Sequence, residues 1–238
     1  MQVKMISLTK PLIEGVNSPS ELITYCARVS NEQNQLNLEN YDKLIKYCMK
    51  KGHWSIFEMV DVTFEVKTTR DIGRQILRHR SFSFQEFSQR YAVVDVEMFE
   101  DRECRLQDEK NRQSSHPTDD QNKLFLWNVG LASVKKVCAY WYKNLIIDGI
   151  AKEQARVILP EGLTPSTMYM KGSLRSWFHF CLVRCHPGTQ KEHRLIADEI
   201  WKQLQEEFPF FEKLDMQKLS IRYQEEFEKI LGECYDKD

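Results

Sequence analysis

The stretch from residue 59 to residue 79 changes abruptly from a strand pattern to a helix pattern, and this junction constrains the fold more than any other feature. In "MVDVTFEVKT" the alternating apolar positions are Val60, Val62, Phe64 and Val66. Such alternation is typical of a strand with one buried face. In "TRDIGRQILRH", which follows it directly, Ile72 and Ile76 recur one helical turn apart. A strand that feeds directly into a helix predicts a protein of both element types.

The rest of the chain predicts few strands and many helices. Further strands are predicted over residues 3–9 and 163–172, and a polar loop over 100–122. Helices are predicted in residues 18–30, 40–52, 121–147, 148–160, 172–185, 188–207 and 215–232. There is no internal repeat and no clear linker. We therefore expect an α+β fold, a mixed sheet of few strands packed with several long helices, as a single domain over residues 1–238.

The bulk composition narrows the class of protein. The net charge is -1, which argues against a general nucleic-acid binder, because such proteins usually carry a basic excess. The N-terminal residues lack the apolar run of a signal peptide, and no window resembles a membrane span. The seven cysteines follow no regular spacing, which is typical of reduced thiols. We expect a cytoplasmic protein without membrane or nucleic-acid partners.

One segment nevertheless concentrates positive charge. Residues 67–90 contain six basic side chains against two acidic ones, and they include "RHRSFSFQEFSQR". Arg74 and Arg78 would share a helix face, while Glu86, Ser88 and Arg90 would share one face of an extended chain. Guanidinium groups beside a serine suit a phosphate. A solvated basic surface, or a non-catalytic module that binds nucleotide or RNA, would fit the same charges.

The sequence around this segment resembles a known family. "RHR" followed by seven residues and a serine, from Arg78 to Ser88, is similar to the signature of flavin-dependent thymidylate synthases. "GHWSIFE", with His53, Ser55 and Glu58, resembles a second motif of that family. The resemblance extends from about residue 50 to residue 205. It implies that dUMP is methylated to dTMP, with 5,10-methylenetetrahydrofolate as carbon donor, FAD as cofactor, NADPH as hydride source and a homotetramer as the assembly.

The same resemblance implies two overlapping sets of site residues. The FAD contacts fall on His53, Ser55, Arg78, His79, Arg80, Glu86, Arg175 and His179. The dUMP contacts fall on Gln75, Arg78, Glu86, Ser88, Gln89, Arg90, Arg156 and Arg184. Arg184 matches the arginine that activates the pyrimidine, a role that is physically reasonable because a fixed cation stabilises the N3 anion of uracil. The chain departs from the common family pattern at Gly172, His179 and Gly188.

Two features near Arg184 allow other interpretations. His179, Cys181, Cys185 and His186 contain potential zinc ligands, but structural zinc sites have a second pair of ligands that this region lacks, so we predict no metal. Cys185 followed by His186 also resembles the nucleophile of the flavin-free thymidylate synthases. Because the surrounding residues resemble the flavin-dependent family, we predict that Cys185 packs in the core and attacks nothing.

Overall fold

The computed structural model describes residues 1–235, which form two small sheets and a set of helices. The strands are β1 (Gln2–Leu8), β2 (Asp61–Thr69), β3 (Ser83–Glu86), β4 (Arg105–Gln107), β5 (Ser115–Pro117) and β6 (Pro165–Ser173). The helices are α1 (Pro19–Ala27), α2 (Tyr41–Lys50), α3 (Arg70–Ile76), α4 (Gln121–Ile147), α5 (Lys152–Ala155), α6 (Leu174–Arg184), α7 (Lys191–Glu207) and α8 (Met216–Tyr235). Short 3-10 turns connect several of them.

The main sheet has four strands in the order β1-β2-β6-β3. Leu174 N donates to Val60 O (2.8 Å) where β6 ends and β2 begins, and Arg70 N donates to Thr164 O (3.0 Å) at the opposite ends. These two bonds make the central pair antiparallel. The α+β class is confirmed. Each central strand runs straight into a helix, β2 into α3 and β6 into α6.

The chain divides into two compact units. Unit 1 comprises residues 1–2, 66–78 and 85–168, and unit 2 comprises residues 3–65, 79–84 and 169–238. Strands β2, β3 and β6 each contribute residues to both units. Because the division cuts through strands instead of linkers, it does not separate two domains that are continuous in sequence. The single domain over residues 1–238 stays a prediction.

Each unit has its own apolar core. In unit 1 the buried residues are Val94, Val96, Phe99, Tyr142, Ala155, Leu159 and Leu163. Unit 2 contains an aromatic core in which Trp177 packs edge-on against Phe64 and Phe82, with ring centroids 4.8 Å and 4.6 Å away. The Trp177 indole N–H donates to Val62 O (3.0 Å), so the polar atom of this fully buried side chain is satisfied.

The helix ends follow the local signals of the sequence. Ser18 forms a capping box with Glu21: Ser18 Oγ accepts from Glu21 N (3.2 Å), and Glu21 Oε2 accepts from Ser18 N (3.2 Å). Gly52, predicted as the stop after α2, has φ +73°, a conformation in which a side chain is strained. The long helix predicted over 121–147 is α4, and Asp120 caps it by accepting from Asn122 N (3.0 Å).

Three boundaries differ from the predictions. Helix α3 ends at Ile76, so Arg78 lies beyond it and shares no helix face with Arg74. The polar segment predicted as a loop over 100–122 contains a hairpin of β4 and β5. Asp148, predicted to begin the following helix, is instead the C-cap of α4. In each case the boundary belongs to a short element with weak hydrophobic periodicity. The bounds of such an element are difficult to predict from the pattern of apolar residues.

Helix α4 exposes large apolar side chains although it belongs to unit 1. Of its residues only Tyr142 is fully buried, while Phe125 and Trp141 are 70% and 55% exposed. An apolar surface of this size usually marks a binding surface. Within residues 1–235, none of the helices combines the length and the apolar character that crossing a membrane requires.

Candidate active site

The predicted site residues divide between the two units almost as they divide between the two predicted ligands. Unit 1 contains Gln75, Arg78, Glu86, Ser88, Gln89, Arg90 and Arg156, which are all predicted dUMP contacts. Unit 2 contains His53, Ser55, His79, Arg80, Arg175 and His179, which are predicted FAD contacts, and also Arg184. Arg78 and Glu86, in unit 1, were predicted to contact both ligands.

Arg184 is fixed by His79. It is the last residue of α6, and its Nε donates to His79 Nε2 at 2.8 Å. An imidazole nitrogen can accept only when it carries no proton, so His79 is neutral, with its proton on Nδ1. Burial, together with the charges of Arg184 and His179, lowers the pKa of His79 to about 4. The bond holds the guanidinium plane of Arg184 in one orientation.

A second neutral histidine, His193, lies beside this pair and was missed by the sequence analysis. It is fully buried on α7, with its ring centroid 6.3 Å from that of His79 and 5.8 Å from that of Phe180. Burial lowers the pKa of His193 to about 3, with Arg184 contributing. A signal was available: His193 lies on the same helical stripe as Ile196 and Ile200, which marks it as buried.

These two histidines predict how stability depends on pH. Their folded-state pKa values, about 4 and about 3, lie below the ordinary value of 6.5, so below about pH 6.5 the unfolded chain binds more protons than the folded protein. The free energy of unfolding should therefore fall as the pH drops from about 6.5 towards 4. Urea titrations at several pH values measure it. In His193→Gln the fall should be shallower.

The matched control for this experiment is His116→Gln, at an exposed position of unit 1. It should keep the wild-type dependence on pH. A His193→Gln protein whose stability falls as steeply as that of the wild type would show that His193 is not held neutral by its surroundings.

Unit 2 contains a cavity of about 590 Å³ near the predicted FAD contacts. Its lining consists of Trp54, Glu58, Ser81, Arg175, Ser176, Phe178, His179, Leu182 and Tyr223. Arg175 Nη1 donates to Glu58 Oε1 at 3.1 Å, which orients the guanidinium at the cavity. His53 and Ser55 are exposed on either side of Trp54, and Arg80 is exposed next to Ser81. The cavity combines an aromatic wall with a cation, as nucleotide-binding pockets do.

In unit 1, Glu86 is held by a local network. It accepts a hydrogen bond from Ser166 Oγ (2.8 Å) and forms an ion pair with Arg70 (3.4 Å), whose side chain is only 14% exposed. Strand β3 ends at Glu86, and Phe87 N donates to Thr167 O (2.9 Å), which ties this end of β3 to β6. Glu86 is thus an oriented acceptor on a strand, and a regular element fixes a ligand-binding side chain more precisely than a loop does.

The arginines of the basic segment fall into two groups. Arg74 is paired with Glu161 (Nε to Oε1, 2.6 Å) and Arg90 with Glu153 (Nε to Oε2, 3.2 Å). Two other arginines of the segment, Arg78 and Arg80, form no ion pair among residues 1–235, and neither does Arg156 elsewhere in unit 1. Charge that is not neutralised within the protein remains available to an anion. This division explains why a nearly neutral chain keeps a cationic segment.

The residues after β3 do not continue as a strand. Ser88 and Arg90 lie in a turn closed by Tyr91 N donating to Ser88 O (3.1 Å), so the predicted common face of Glu86, Ser88 and Arg90 is wrong. The turn buries Gln89, which is 4% exposed, and its Nε2 has no hydrogen-bond partner among the described residues. Leaving such a donor unpaired costs about 1–3 kcal/mol, which a ligand or a second chain can offset by accepting from it.

Cys185 is unsuited to nucleophilic attack. It is fully buried directly after α6, and hydrogen bonding to Cys181, together with burial, raises the pKa of its thiol far above the ordinary value. The thiol is therefore protonated at any working pH. In the part of the chain that the structure describes, no group of three or more His, Cys, Asp or Glu side chains is arranged to hold a metal ion.

Cys185→Ala should therefore keep most of the catalytic rate, with an expected loss of less than about threefold. The substitution removes one sulfur from the core, which costs stability but no reacting group. Formation of dTMP, the product that the family resemblance implies, is measured at a temperature where the variant is fully folded and checks this expectation. A folded variant without activity would restore the thiol as a candidate nucleophile.

Solved structures share this fold. The chain superposes on the UMP/dUMP methylase PolB from Streptomyces cacaoi bound with 5-Br dUMP with a TM-score of 0.71 and 25% identity, covering 88% of this chain and 91% of that one. The same enzyme bound with 5-Br UMP gives a TM-score of 0.71 at 24% identity, with coverages of 88% and 90%. At 24% identity, this second structural similarity shows only a shared fold.

Sequence comparison identifies the family. The model described as "Thymidylate synthase complementing protein" matches residues 11–210. A flavin-dependent thymidylate synthase from Synechocystis sp. is 51% identical over 88% of this chain and 96% of its own length. A probable flavin-dependent thymidylate synthase of Paramecium bursaria Chlorella virus 1 is 46% identical over 90% of this chain and 98% of its own length. The chain therefore belongs to the flavin-dependent thymidylate synthase family.

Proposed function

We propose that this protein is a flavin-dependent thymidylate synthase that converts dUMP to dTMP, with FAD as its cofactor. The carbon donor is 5,10-methylenetetrahydrofolate, and NADPH supplies the hydride. The main structural support for the proposal is the hydrogen bond from Arg184 to His79. It holds the guanidinium of Arg184 in place, and because its partner His79 is neutral, the positive charge of Arg184 is not cancelled. Family membership supplies the reaction class, and this bond supplies the group that the reaction needs.

The residues of unit 2 fit a flavin nucleotide. The cavity beside Arg175 and His179 offers aromatic side chains for a planar ring and a cation for a phosphate. The remaining residues that would bind the flavin nucleotide are His53, Ser55, His79 and Arg80. When bound, the flavin carries hydride from the nicotinamide to the one-carbon unit. The work of the protein is to orient the ligands and to stabilise charge.

The residues of unit 1 fit a nucleoside monophosphate. Arg78 and Arg156 are cations without an ion pair among residues 1–235, which suits a phosphate dianion. Glu86 can accept from an N–H or O–H, and the buried amide of Gln89 needs an acceptor. Ser88 Oγ can donate, and Gln75 supplies a further amide. Together these groups match a phosphate, a sugar hydroxyl and a pyrimidine edge.

Arg184 activates the pyrimidine. A fixed guanidinium beside the ring favours the anion at N3, and the electron density of that anion makes C5 nucleophilic enough to attack a one-carbon electrophile. His79 cannot act as a general acid near neutral pH, because its pKa is about 4. It positions Arg184 instead. No protein thiol takes part, since the Cys185 thiol is buried and protonated.

The proposal extends to assembly and location. The exposed apolar face of α4, with Phe125 and Trp141, supports a homotetramer whose active sites are shared between subunits. The described cysteines, residues 26, 48, 104, 138, 181 and 185, are all free, which supports a reducing cytoplasm. Size-exclusion chromatography with light scattering tests the tetramer. A monomer at micromolar concentration would contradict it.

The test of the function has two steps. Purified protein should be yellow, or become so on incubation with FAD, and should form dTMP only when dUMP, 5,10-methylenetetrahydrofolate and NADPH are all present. Colourless protein that takes up no FAD would contradict the proposal and would favour a non-catalytic nucleotide-binding module. Omitting each substrate in turn is the control, because a contaminating flavin-free enzyme would not need NADPH.

A further inference from the structure

We propose that Tyr223, on the C-terminal helix α8, forms one wall of the flavin pocket and stacks on an aromatic ring of the bound FAD. The inference rests on the proposed function, because it takes FAD as the occupant of the 590 Å³ cavity of unit 2. The family model ends at residue 210, whereas α8 begins at Met216. Tyr223 thus lines the cavity although it lies outside residues 11–210, the part of the chain that matches the family model.

The sequence of α8 brings Tyr223 to the cavity. Met216 and Ser220 are each 3% exposed, and Tyr223 and Phe227 follow them at spacings of three and four residues, so all four lie on one stripe of the helix. The first turn of this stripe is buried and anchors α8, which contacts α6. The next turn carries Tyr223 into the lining of the cavity.

The ring of Tyr223 is accessible and oriented. It is 51% exposed and lies parallel to the ring of Phe227, with an interplanar angle of 11° and centroids 6.4 Å apart. By contrast, Phe178 in the same lining packs against Trp54, which also lines the cavity, and against the buried rings of Trp201 and Phe211. An aromatic side chain that is half exposed at a cavity has a face left for a planar ligand.

The other lining groups indicate which ligand takes that face. Arg175 and Glu58 place a cation and a carboxylate in the same cavity. A dinucleotide with two flat ring systems and a pyrophosphate offers partners for both the aromatic and the charged groups. Stacking of a base on an aromatic side chain contributes measurably to the binding of nucleotides. Removing Tyr223 should therefore weaken the binding of FAD measurably without removing a reacting group.

The experiment measures the dissociation constant of FAD on full-length protein by the quenching of flavin fluorescence. Tyr223→Ala should raise it about tenfold. Tyr223→Phe should stay within about twofold of wild type, because it keeps the ring. Tyr223→Leu should behave like the alanine variant, because it keeps apolar area but no ring. Glu226→Ala, at an exposed position of the same helix, is the matched control and should bind like wild type.

The outcomes separate this inference from the proposed function. Wild-type protein that binds no FAD would overturn both. Wild-type protein that binds FAD, together with an alanine or leucine variant of equal affinity, would overturn only the role of Tyr223. Far-ultraviolet circular dichroism and the melting temperature confirm that each variant is folded. A tenfold loss that is restored in Tyr223→Phe supports the inference.

Discussion

Arg184→Ala should reduce the rate of dTMP formation by at least about a hundredfold while leaving the binding of FAD almost unchanged. The guanidinium is the fixed cation of the site, and removing one preorganised group that stabilises developing charge typically costs about 10²–10³ in rate. The Nε bond to His79 (2.8 Å) shows that this cation is held in place before any ligand arrives. Single-turnover formation of dTMP under saturating dUMP measures the loss.

Two controls make this result interpretable. Arg184→Lys keeps the charge but loses the planar fork, so it should recover only part of the rate. Arg28→Ala removes a partly exposed arginine whose side chain donates to Asn34 O (3.2 Å), and it should be fully active. If Arg184→Ala retained more than about a tenth of the wild-type rate, another group would have to activate the pyrimidine.

Gly172→Asn should destabilise the protein, with an expected loss of about 1–3 kcal/mol in the free energy of unfolding. A Cβ at residue 172 would lie 2.4 Å from Phe82 Cδ1 and 2.6 Å from Phe82 Cε1, which is closer than two non-bonded carbon atoms can approach. Phe82 cannot retreat easily, because its ring packs against Trp177, with centroids 4.6 Å apart. Urea denaturation measures the loss.

A double-mutant cycle identifies the cause. If the clash with Phe82 is responsible, Phe82→Ala should lose less stability in the Gly172→Asn background than in the wild type. Gly130→Asn is the matched control: a Cβ there meets nothing within 4 Å, so little stability should be lost. Equal losses at Gly130 and Gly172 would contradict the account.

This pair also explains one departure from the family pattern. Gly172 is one of the three positions at which the sequence departs from the common family pattern. The structure shows a steric reason for a glycine there: Phe82, inside the "RHRSFSFQEFSQR" segment, occupies the space that a side chain at 172 would need. The two positions are ninety residues apart in sequence, so no local pattern could connect them.

The sequence predicted long elements well and short ones poorly. The alternation in β2 and the long stretch rich in Leu, Val, Trp and Tyr over residues 121–147 predicted β2 and α4 correctly, because both patterns extend over many residues. The hairpin of β4 and β5 has only three residues in each strand, too few for a pattern to appear. The turn at Ser88 replaced a predicted extended run for the same reason.

For the site, the sequence identified candidate residues but did not show which of them contact one another. The resemblance to a family named Arg184 and His79, yet nothing in their spacing showed that a residue in the basic segment accepts from one at the end of α6. Charge counts could not tell the arginines paired with glutamate, such as Arg74 and Arg90, from Arg78. These pairings depend on tertiary contacts, which a single sequence does not encode locally.

The central claim of the proposed function is that the hydride that completes the methyl group comes from NADPH and not from the folate. The methylene carbon needs one hydride to become a methyl group. If the folate supplied it, the folate would leave as dihydrofolate, whereas an external donor leaves tetrahydrofolate. The direct test is chromatography of the folate product under anaerobic conditions. We predict one tetrahydrofolate for each dTMP formed, and dihydrofolate in equal amount to dTMP would contradict the account.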